Sequence, residues 1–281
     1  MIETITYIHH SLKDVYPPEE IRSFTRLIME HVCGIQPYQL LMGKGKELSG
    51  MEAHTVREMA ERLRQGEPVQ YVVGQTSFCG LTFRVDQRAL IPRPETEELV
   101  ACILKDYEGK KARILDIGTG SGCIAVTLAR KLPGSEVTAI DVSEDALNLA
   151  RENAQINEAS VSFLRTDILD RRQDGKVGGP FDLIVSNPPY VRESEKAGME
   201  RNVLLYEPAQ ALFVPDDDPM VFYRAIARFA GGRLQENGSL YFEINAQLGR
   251  ETLNILAAEG YAKQELIRDL SGKDRIIKAQ L

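Results

Sequence analysis

Asn187-Pro188-Pro189-Tyr190 ends the apolar run Phe181-Asp182-Leu183-Ile184-Val185-Ser186, and its residue types suit one kind of chemistry. Leu183 to Val185 reads as a buried strand. Pro188 and Pro189 hold φ near about −65°, and each pushes the residue before it toward extended geometry. The chain therefore leaves the strand as a stiff corner whose carbonyls point in set directions. Pro188 has no N–H, and its C=O is available as an acceptor. Asn187 adds a side-chain acceptor beside it, and the ring of Tyr190 can cover a flat group. Two acceptors and a ring suit a planar NH2 conjugated to a carbonyl or an aromatic ring. Its two N–H donors are held while its nitrogen faces an electrophile. Taken alone, such a tetrapeptide reads more simply as a proline turn with an asparagine cap; residues upstream favour the chemical reading.

The second group follows another buried run, Arg113-Ile114-Leu115-Asp116-Ile117, which turns at Gly118-Thr119-Gly120-Ser121-Gly122. A dinucleotide fingerprint would place a third glycine at position 123, where this chain has Cys123, so pyrophosphate binding is disfavoured. The glycines still let backbone approach a ligand, with helix N–H groups available to a carboxylate. Asp141 comes 23 residues after Gly118, where a carboxylate can accept from both hydroxyls of a ribose. Asp167 can accept from an adenine amino group while Ile168 packs on the ring. Each aspartate alone could be a helix cap. Together they describe a ligand with ribose, adenine, an amino-acid end and no phosphate, namely S-adenosyl-L-methionine. Its sulphonium methyl is the electrophile a conjugated NH2 would attack, and neither a metal nor a covalent intermediate is required. The four cysteines (Cys33, Cys79, Cys102, Cys123) and four histidines (His9, His10, His31, His54) lack metal-ligand spacing.

The elements that must position these residues follow from the hydrophobic period. Ile2, Ile5, Ile8 and Leu12 recur at helical spacing, and Pro17-Pro18-Glu19-Glu20 opens a helix through Ile21, Phe24, Leu27 and Ile28 that Gly34 and Pro37 end. Val56, Met59, Ala60 and Leu63 mark a further helix. This N-terminal helical bundle, residues 1–69, is expected to dock a substrate. Residues 70–92 change to a β-hairpin linker, with Tyr71-Val72-Val73 in its first strand and a turn near Gly80. A rigid strut, Leu90 to Pro94, leads into a helix started by Glu95-Thr96-Glu97-Glu98. Because the strut must pass near the next motif, Arg93 and Thr96 are expected to line the cleft. Beyond residue 112 strands and helices alternate, which predicts an α/β domain over 93–281 with a mostly parallel sheet. Its strands are expected at 113–117, 136–140, 161–164, 181–185 and 238–244, with residues 171–180 as a loop. Two closing strands, 261–267 and 275–279, are expected to pair antiparallel. In such a sheet, ligands bind beyond the carboxyl ends of the strands. Asp116 with its glycine turn, Asp141, Asp167 and Asn187 all stand at such ends.

The 281 residues, 43% hydrophobic and 27% charged, suffice for a sizeable core. A net charge of −7 argues against general affinity for nucleic acid, and residues 1–75, with eight Lys/Arg and ten Asp/Glu, are not basic either. No apolar run reaches membrane-span length and Met1 to His10 lacks a signal-peptide pattern, so a cytoplasmic location is expected, with the chain a monomer. The order of motifs resembles the protein-(glutamine-N5) methyltransferases of bacterial peptide-chain release factors, the HemK/PrmC family. The likeness rests on Ile91-Pro92-Arg93-Pro94-Glu95-Thr96-Glu97, Asp116 to Gly122, Asn187 to Tyr190, Glu207-Pro208 with Ala211-Leu212, and Asp269 to Arg275. One departure is Asp216-Asp217-Asp218-Pro219-Met220, where the family has an Asp-Gly-Leu-like turn. The resemblance implies a Rossmann-like class I methyltransferase domain with a seven-stranded sheet. It implies that the acceptor is the glutamine amide of the Gly-Gly-Gln motif in release factors. Asn187 and Pro188 would hold that amide with Pro189 and Tyr190 beside it, and Gly118, Thr119, Gly120, Ser121, Gly122, Asp141, Asp167 and Ile168 would hold the cofactor with Asn187. Two readings stay open beside it: an amino-methyltransferase acting on adenine or guanine in nucleic acid, and a non-catalytic cofactor-binding scaffold.

Overall fold

Proline and glycine punctuate the first helices of the computed structural model, which describes residues 1–35, 38, 39 and 47–281. Helix α1 spans Ile2–Leu12 and α2 spans Pro18–Cys33. Pro18 suits the first turn, where a missing N–H costs nothing, and Gly34 ends α2 in the left-handed region at φ 65°. Pro37 lies outside the described residues. Helix α3, Gly50–Arg64, starts at a capping box in which Ser49 and Glu52 satisfy each other's backbone N–H. The inward stripes of these helices, Ile8, Leu12, Ile21, Ile28, Met29, Val56, Ala60 and Leu63, form one buried cluster. They belong to a unit of Met1–Gln75 joined by Glu200–Tyr206; the second unit is Thr76–Met199 with Glu207–Leu281.

Tyr71-Val72-Val73, expected in a strand, instead lies in a short helix α4, Val69–Val73. Pro68 precedes it and Gly74 closes it at φ 78°. The Arg62 guanidinium takes the carbonyls of Tyr71 and Val72 at 3.0 and 3.2 Å, satisfying groups a strand would have paired. The hairpin comes later, as β1 (Gln75–Phe78) and β2 (Leu81–Arg84), turning through Cys79 and Gly80, both at positive φ. Phe78 and Phe83 pack edge to face, in the same core as Leu99, Val100 and Ile103 of helix α5, Pro94–Asp106.

The sheet assembles β3 (Arg113–Ile117), β4 (Glu136–Asp141), β5 (Val161–Arg165), β6 (Phe181–Ser186) and β9 (Leu234–Glu243) in parallel. Between β6 and β9 the short strands β7 (Val191–Arg192) and β8 (Phe213–Val214) pair with each other. The closing strands β10 (Lys263–Arg268) and β11 (Asp274–Gln280) are antiparallel to each other, and β11 to β9, as expected. The order is β10-β11-β9-β6-β3-β4-β5. Strand β9 starts four residues earlier than expected, at Leu234, and the register against β6 shifts between Phe181 and Leu183. Asn237 at φ 64° and the side-chain-free Gly238, where a Cβ would sit 3.0 to 3.2 Å from three carbonyl oxygens, absorb that irregularity. The 171–180 loop contains a 3-10 turn at Arg171–Lys176.

Side chains alternate between two cores, as period-two strands require. Ile114, Leu183, Val185 and Tyr241 face one core, shared with helix α6 (Cys123–Lys131). Leu115, Ile184, Leu240 and Phe242 face the other, shared with α9 (Val221–Gly231). Helix α7 (Glu144–Ile156) follows β4, α8 (Arg201–Tyr206) belongs to the first unit, and α10 (Gly249–Ala258) follows β9. The chain runs from β3 outward to β5, then returns to place β6 on the other side of β3. That reversal makes the β3–β6 junction the switch point, with Ile117 opposite Ser186. The Ser186 hydroxyl donates to the Ile117 carbonyl at 2.7 Å and ties the two strand ends together. The glycine turn and the Asn-Pro-Pro corner are neighbours because the topology reverses there.

Candidate active site

A cleft of about 1050 Å³, counting the part open to solvent, lies over these strand ends. Such a size is ample for a small-molecule ligand. Its wall contains Gly118, Thr119, Gly120 and Ser121 after β3, Asp141 at the end of β4, Asp167 and Ile168 after β5, and Asn187, Pro188 and Pro189 after β6. Arg93 and Thr96 line it from the strut and the first turn of α5. Two expected members, Gly122 and Tyr190, are not in the wall.

Gly118 and Gly120 have φ of 73° and 55°, where a side chain is strained, so the turn is formed by glycines for conformational reasons. The N–H groups of Gly118 and Thr119 donate to the Ile140 carbonyl at 2.9 and 3.0 Å, that of Gly120 to Asp141 Oδ2 at 2.9 Å, and that of Gly122 to the Thr119 carbonyl at 2.8 Å. These four turn donors are therefore spent inside the protein. The glycines contribute bare surface that a ligand can approach closely. Gly122 serves packing: a Cβ there would lie 2.9 Å from the Cβ of Ala150 on α7.

Asp141 accepts one backbone N–H on each oxygen, from Gly120 and from Ser143, each at 2.9 Å. Each carboxylate oxygen has a second lone pair, so two acceptor sites remain for paired hydroxyls. Burial raises its pKa, and the N–H groups of Ser143, Gly120 and Val142 pull it back. Asp167 receives the Leu169 N–H on Oδ1 at 2.9 Å, and Ile168 beside it packs against the second core.

At the corner, Asn187 Nδ2 donates to Thr96 Oγ1 at 3.1 Å, so Oδ1 is what Asn187 contributes to the cleft. Thr96 donates in turn to Glu243 Oε2 at 2.6 Å. The Tyr190 hydroxyl reaches Glu243 Oε1 at 3.2 Å, while its ring packs against the second core. Burial raises the Glu243 pKa; Thr96, Arg275 and Tyr190 lower it, and Glu95 raises it further. The Arg93 guanidinium pairs with Glu207 at 2.5 Å, and the other Glu207 oxygen takes the Ile91 N–H at 3.1 Å, which pins the strut along the cleft.

No motif marks Glu243, and Glu207 enters only through the family resemblance. Glu243 did carry a signal. An acid inside Leu240-Tyr241-Phe242-Glu243-Ile244 cannot be buried without partners, so a hydrogen-bonded cluster was implied. The apolar wall supplied by Ala89, Ile91, Phe222 and Ile226 carried none, because such residues look like ordinary core.

Asp116, fully buried beneath the turn, accepts from the Thr119 hydroxyl at 2.6 Å. Burial pushes its carboxyl up to about 7; Thr119 and the Ala125 N–H act against the shift, and Asp141 adds to it. A folded pKa above the unfolded value means the group's contribution is fully present below that unfolded value. It is then lost as pH rises through about 7. Asp116→Asn, neutral throughout, is expected to flatten the fall in stability from about pH 4 to about pH 7, read as urea midpoints across that range. Parallel curves for the two proteins would show that another group titrates.

The chain matches the family model described as "Methyltransferase small domain" over residues 94–214 and that described as "PrmC N-terminal domain" over residues 3–74. It is 46% identical over 273 residues to a release factor glutamine methyltransferase of Bacteroides thetaiotaomicron, covering 97% of each chain. It is 43% identical over 277 residues to one of Flavobacterium psychrophilum, covering 97% of this chain and 96% of that one. A solved methyltransferase of Pyrococcus furiosus shares the fold at TM-score 0.52 and 21% identity, over 72% of this chain and 90% of that one. Identity at this level along nearly the whole length, with both the catalytic-domain and N-terminal models matched, leaves one placement: the chain is a methyltransferase and belongs to the release factor glutamine methyltransferases.

Proposed function

We propose that the cleft binds S-adenosyl-L-methionine and that the chain transfers its methyl group to the side-chain amide nitrogen, N5, of the glutamine in the Gly-Gly-Gln motif of peptide-chain release factors. The observation that carries this reading is the orientation of Asn187: its NH2 is committed to Thr96, so an oxygen acceptor is presented next to the rigid Pro188 corner. The residues present fit the cofactor. Bare glycine backbone allows close approach, Asp141 has acceptor capacity left for two ribose hydroxyls, and Asp167 with Ile168 suits an aminopurine. The two arginines in the wall, Arg88 and Arg93, are already paired with Asp86, Glu152 and Glu207.

When bound, the cofactor supplies a methyl group on a positively charged sulphur, which departs as a neutral thioether. The chain's own residues supply position. Asn187 Oδ1 and the Pro188 carbonyl accept the two N–H donors of the glutamine amide and aim its nitrogen along the line of transfer. Effective positioning of two reactants is worth up to about 7–11 kcal/mol of barrier. As the N–C bond forms, positive charge grows on nitrogen, and both acceptors strengthen with it. The nitrogen then sheds one proton to water. Tyr190, tied to Glu243 and, through its carbonyl, to Asn245 at 3.3 Å, fixes the exit of the corner. The chain is read as a monomer that meets release factor in the cytoplasm. No helix among the described residues is long and apolar enough to cross a membrane.

Incubation with methyl-labelled S-adenosyl-L-methionine and release factor, RNA or DNA tests the reading. Label is expected on the release factor alone, located by mass spectrometry on the Gly-Gly-Gln glutamine, and absent when that glutamine is replaced by glutamate. Label on nucleic acid and none on release factor would overturn it.

A further inference from the structure

We infer that Thr96 and Glu243 are positioning residues for the transfer: a buried carboxylate, acting through one hydroxyl, sets which end of the Asn187 carboxamide faces the substrate. This rests on the reading of Asn187 as the residue that grips the amide.

Glu243 ends β9, next to the end of β6, and is 1% exposed. Arg275, with the Thr96 and Tyr190 hydroxyls, favours the ionised form of Glu243 against its burial, and an ionised carboxylate only accepts hydrogen bonds. The single hydroxyl proton of Thr96 is therefore committed to Glu243 Oε2, at 2.6 Å. Toward Asn187, Thr96 Oγ1 then has only lone pairs to offer, and it takes the Nδ2 donor at 3.1 Å. Polarity passes along the chain without a choice: acceptor, donor-acceptor, donor. Oδ1 is left on the cleft side.

An asparagine carboxamide is almost symmetric in shape, so sterics alone do not select between its two orientations. The flipped form would present NH2 to the NH2 of the substrate, donor against donor, and could not hold the amide. The relay thus turns a shape-symmetric side chain into a one-sided acceptor. The second oxygen of the same carboxylate holds the Tyr190 hydroxyl at 3.2 Å, so both ends of the corner, residues 187 and 190, are fixed to one buried group. Arg275 faces that group and attracts it, while Glu95 repels it. Thr96 itself is buried with its hydroxyl occupied on both sides; its contribution passes through Asn187.

Thr96→Val keeps the shape and deletes the hydroxyl; Thr96→Ser keeps the hydroxyl. Glu243→Gln keeps the shape but replaces one acceptor by a donor, so one of the two hydroxyls must accept from it instead of donating, and a Thr96 hydroxyl so reversed would turn its proton toward Asn187. Steady-state methylation of release factor by each variant gives kcat and KM, and calorimetry gives cofactor Kd. Thr96→Val and Glu243→Gln are each expected to lower kcat by roughly 10- to 100-fold, as loss of a supporting hydrogen bond does elsewhere, with cofactor Kd within about three-fold. Thr96→Ser is expected to restore kcat to within about three-fold of the parent. The double variant Thr96→Val/Glu243→Gln should be no worse than its worse single, because one relay is broken once. Full kcat in Thr96→Val, equal losses in Thr96→Ser and Thr96→Val, or additive losses in the double variant would overturn the relay. If Glu243→Gln does not fold, the two Thr96 variants decide. Asn187→Ala separates the layers. An active Asn187→Ala removes the underlying reading, whereas an inactive one beside active Thr96→Val and Glu243→Gln sinks the relay alone.

Discussion

Asn187→Ala is expected to lower kcat by about 1,000-fold while cofactor Kd stays within several-fold. That is the loss expected when one preorganised hydrogen-bond partner of a charge-developing transition state is removed, about 3–4 kcal/mol. The size follows from where the acceptor sits. Asn187 is half-buried at the mouth of a strand, beside a proline carbonyl that cannot reorient, so no water can replace Oδ1 with the same geometry. The ligand pocket formed by the glycine turn, Asp141 and Asp167 does not depend on that oxygen, which is why binding and turnover should separate. Calorimetry for the cofactor and single-turnover labelling of release factor measure the two independently. A variant that loses the cofactor as well would place Asn187 in the binding site rather than at the reacting nitrogen.

Asp141→Ala is expected to show the opposite pattern, with cofactor Kd raised by roughly 100-fold and kcat at saturating cofactor reduced far less. Two hydrogen bonds to a charged acceptor, at about 1.5 kcal/mol each, give about 3 kcal/mol, close to two orders of magnitude in affinity. Part of the loss would be indirect, since Asp141 also holds the N–H groups of Gly120 and Ser143. Asp141→Asn distinguishes the contributions. Its remaining oxygen can keep one of those N–H groups, while its NH2 cannot accept from a ribose. An unchanged Kd in Asp141→Asn would remove this residue from the ribose and leave it with the turn alone.

The parts of the fold legible before the structure were those set by local physics. Helix α6, Cys123–Lys131, is bounded by the glycine turn on one side and by the charged residues Arg130 and Lys131 on the other. The fall from helix to strand after Pro68 was misplaced, because Tyr71-Val72-Val73 has β-type composition. The carbonyls of Tyr71 and Val72 are satisfied by Arg62, a residue of the preceding helix that no pattern within 70–74 announces. The glycine turn reads from sequence as a ligand surface with helix N–H groups beyond it, but the fate of the N–H groups of Gly118, Thr119 and Gly120 is not legible there. Only tertiary pairing with Ile140 and Asp141 shows that they are already occupied.

The sequence by itself determined the chemistry available at each strand end: a stiff corner with two oxygens, a bare turn, and two carboxylates spaced along an alternating α/β chain. Residue type and spacing suffice for that, because proline rigidity, glycine freedom and acceptor count are properties of a few neighbouring residues. The orientation of those groups was decided only in three dimensions. Which way Asn187 points depends on Thr96, 91 residues earlier, and on Glu243, 56 residues later, both buried. A hydrogen-bond chain that joins three distant positions leaves no periodic trace. Its polarity exists only once strands β6 and β9 lie side by side with helix α5 against them.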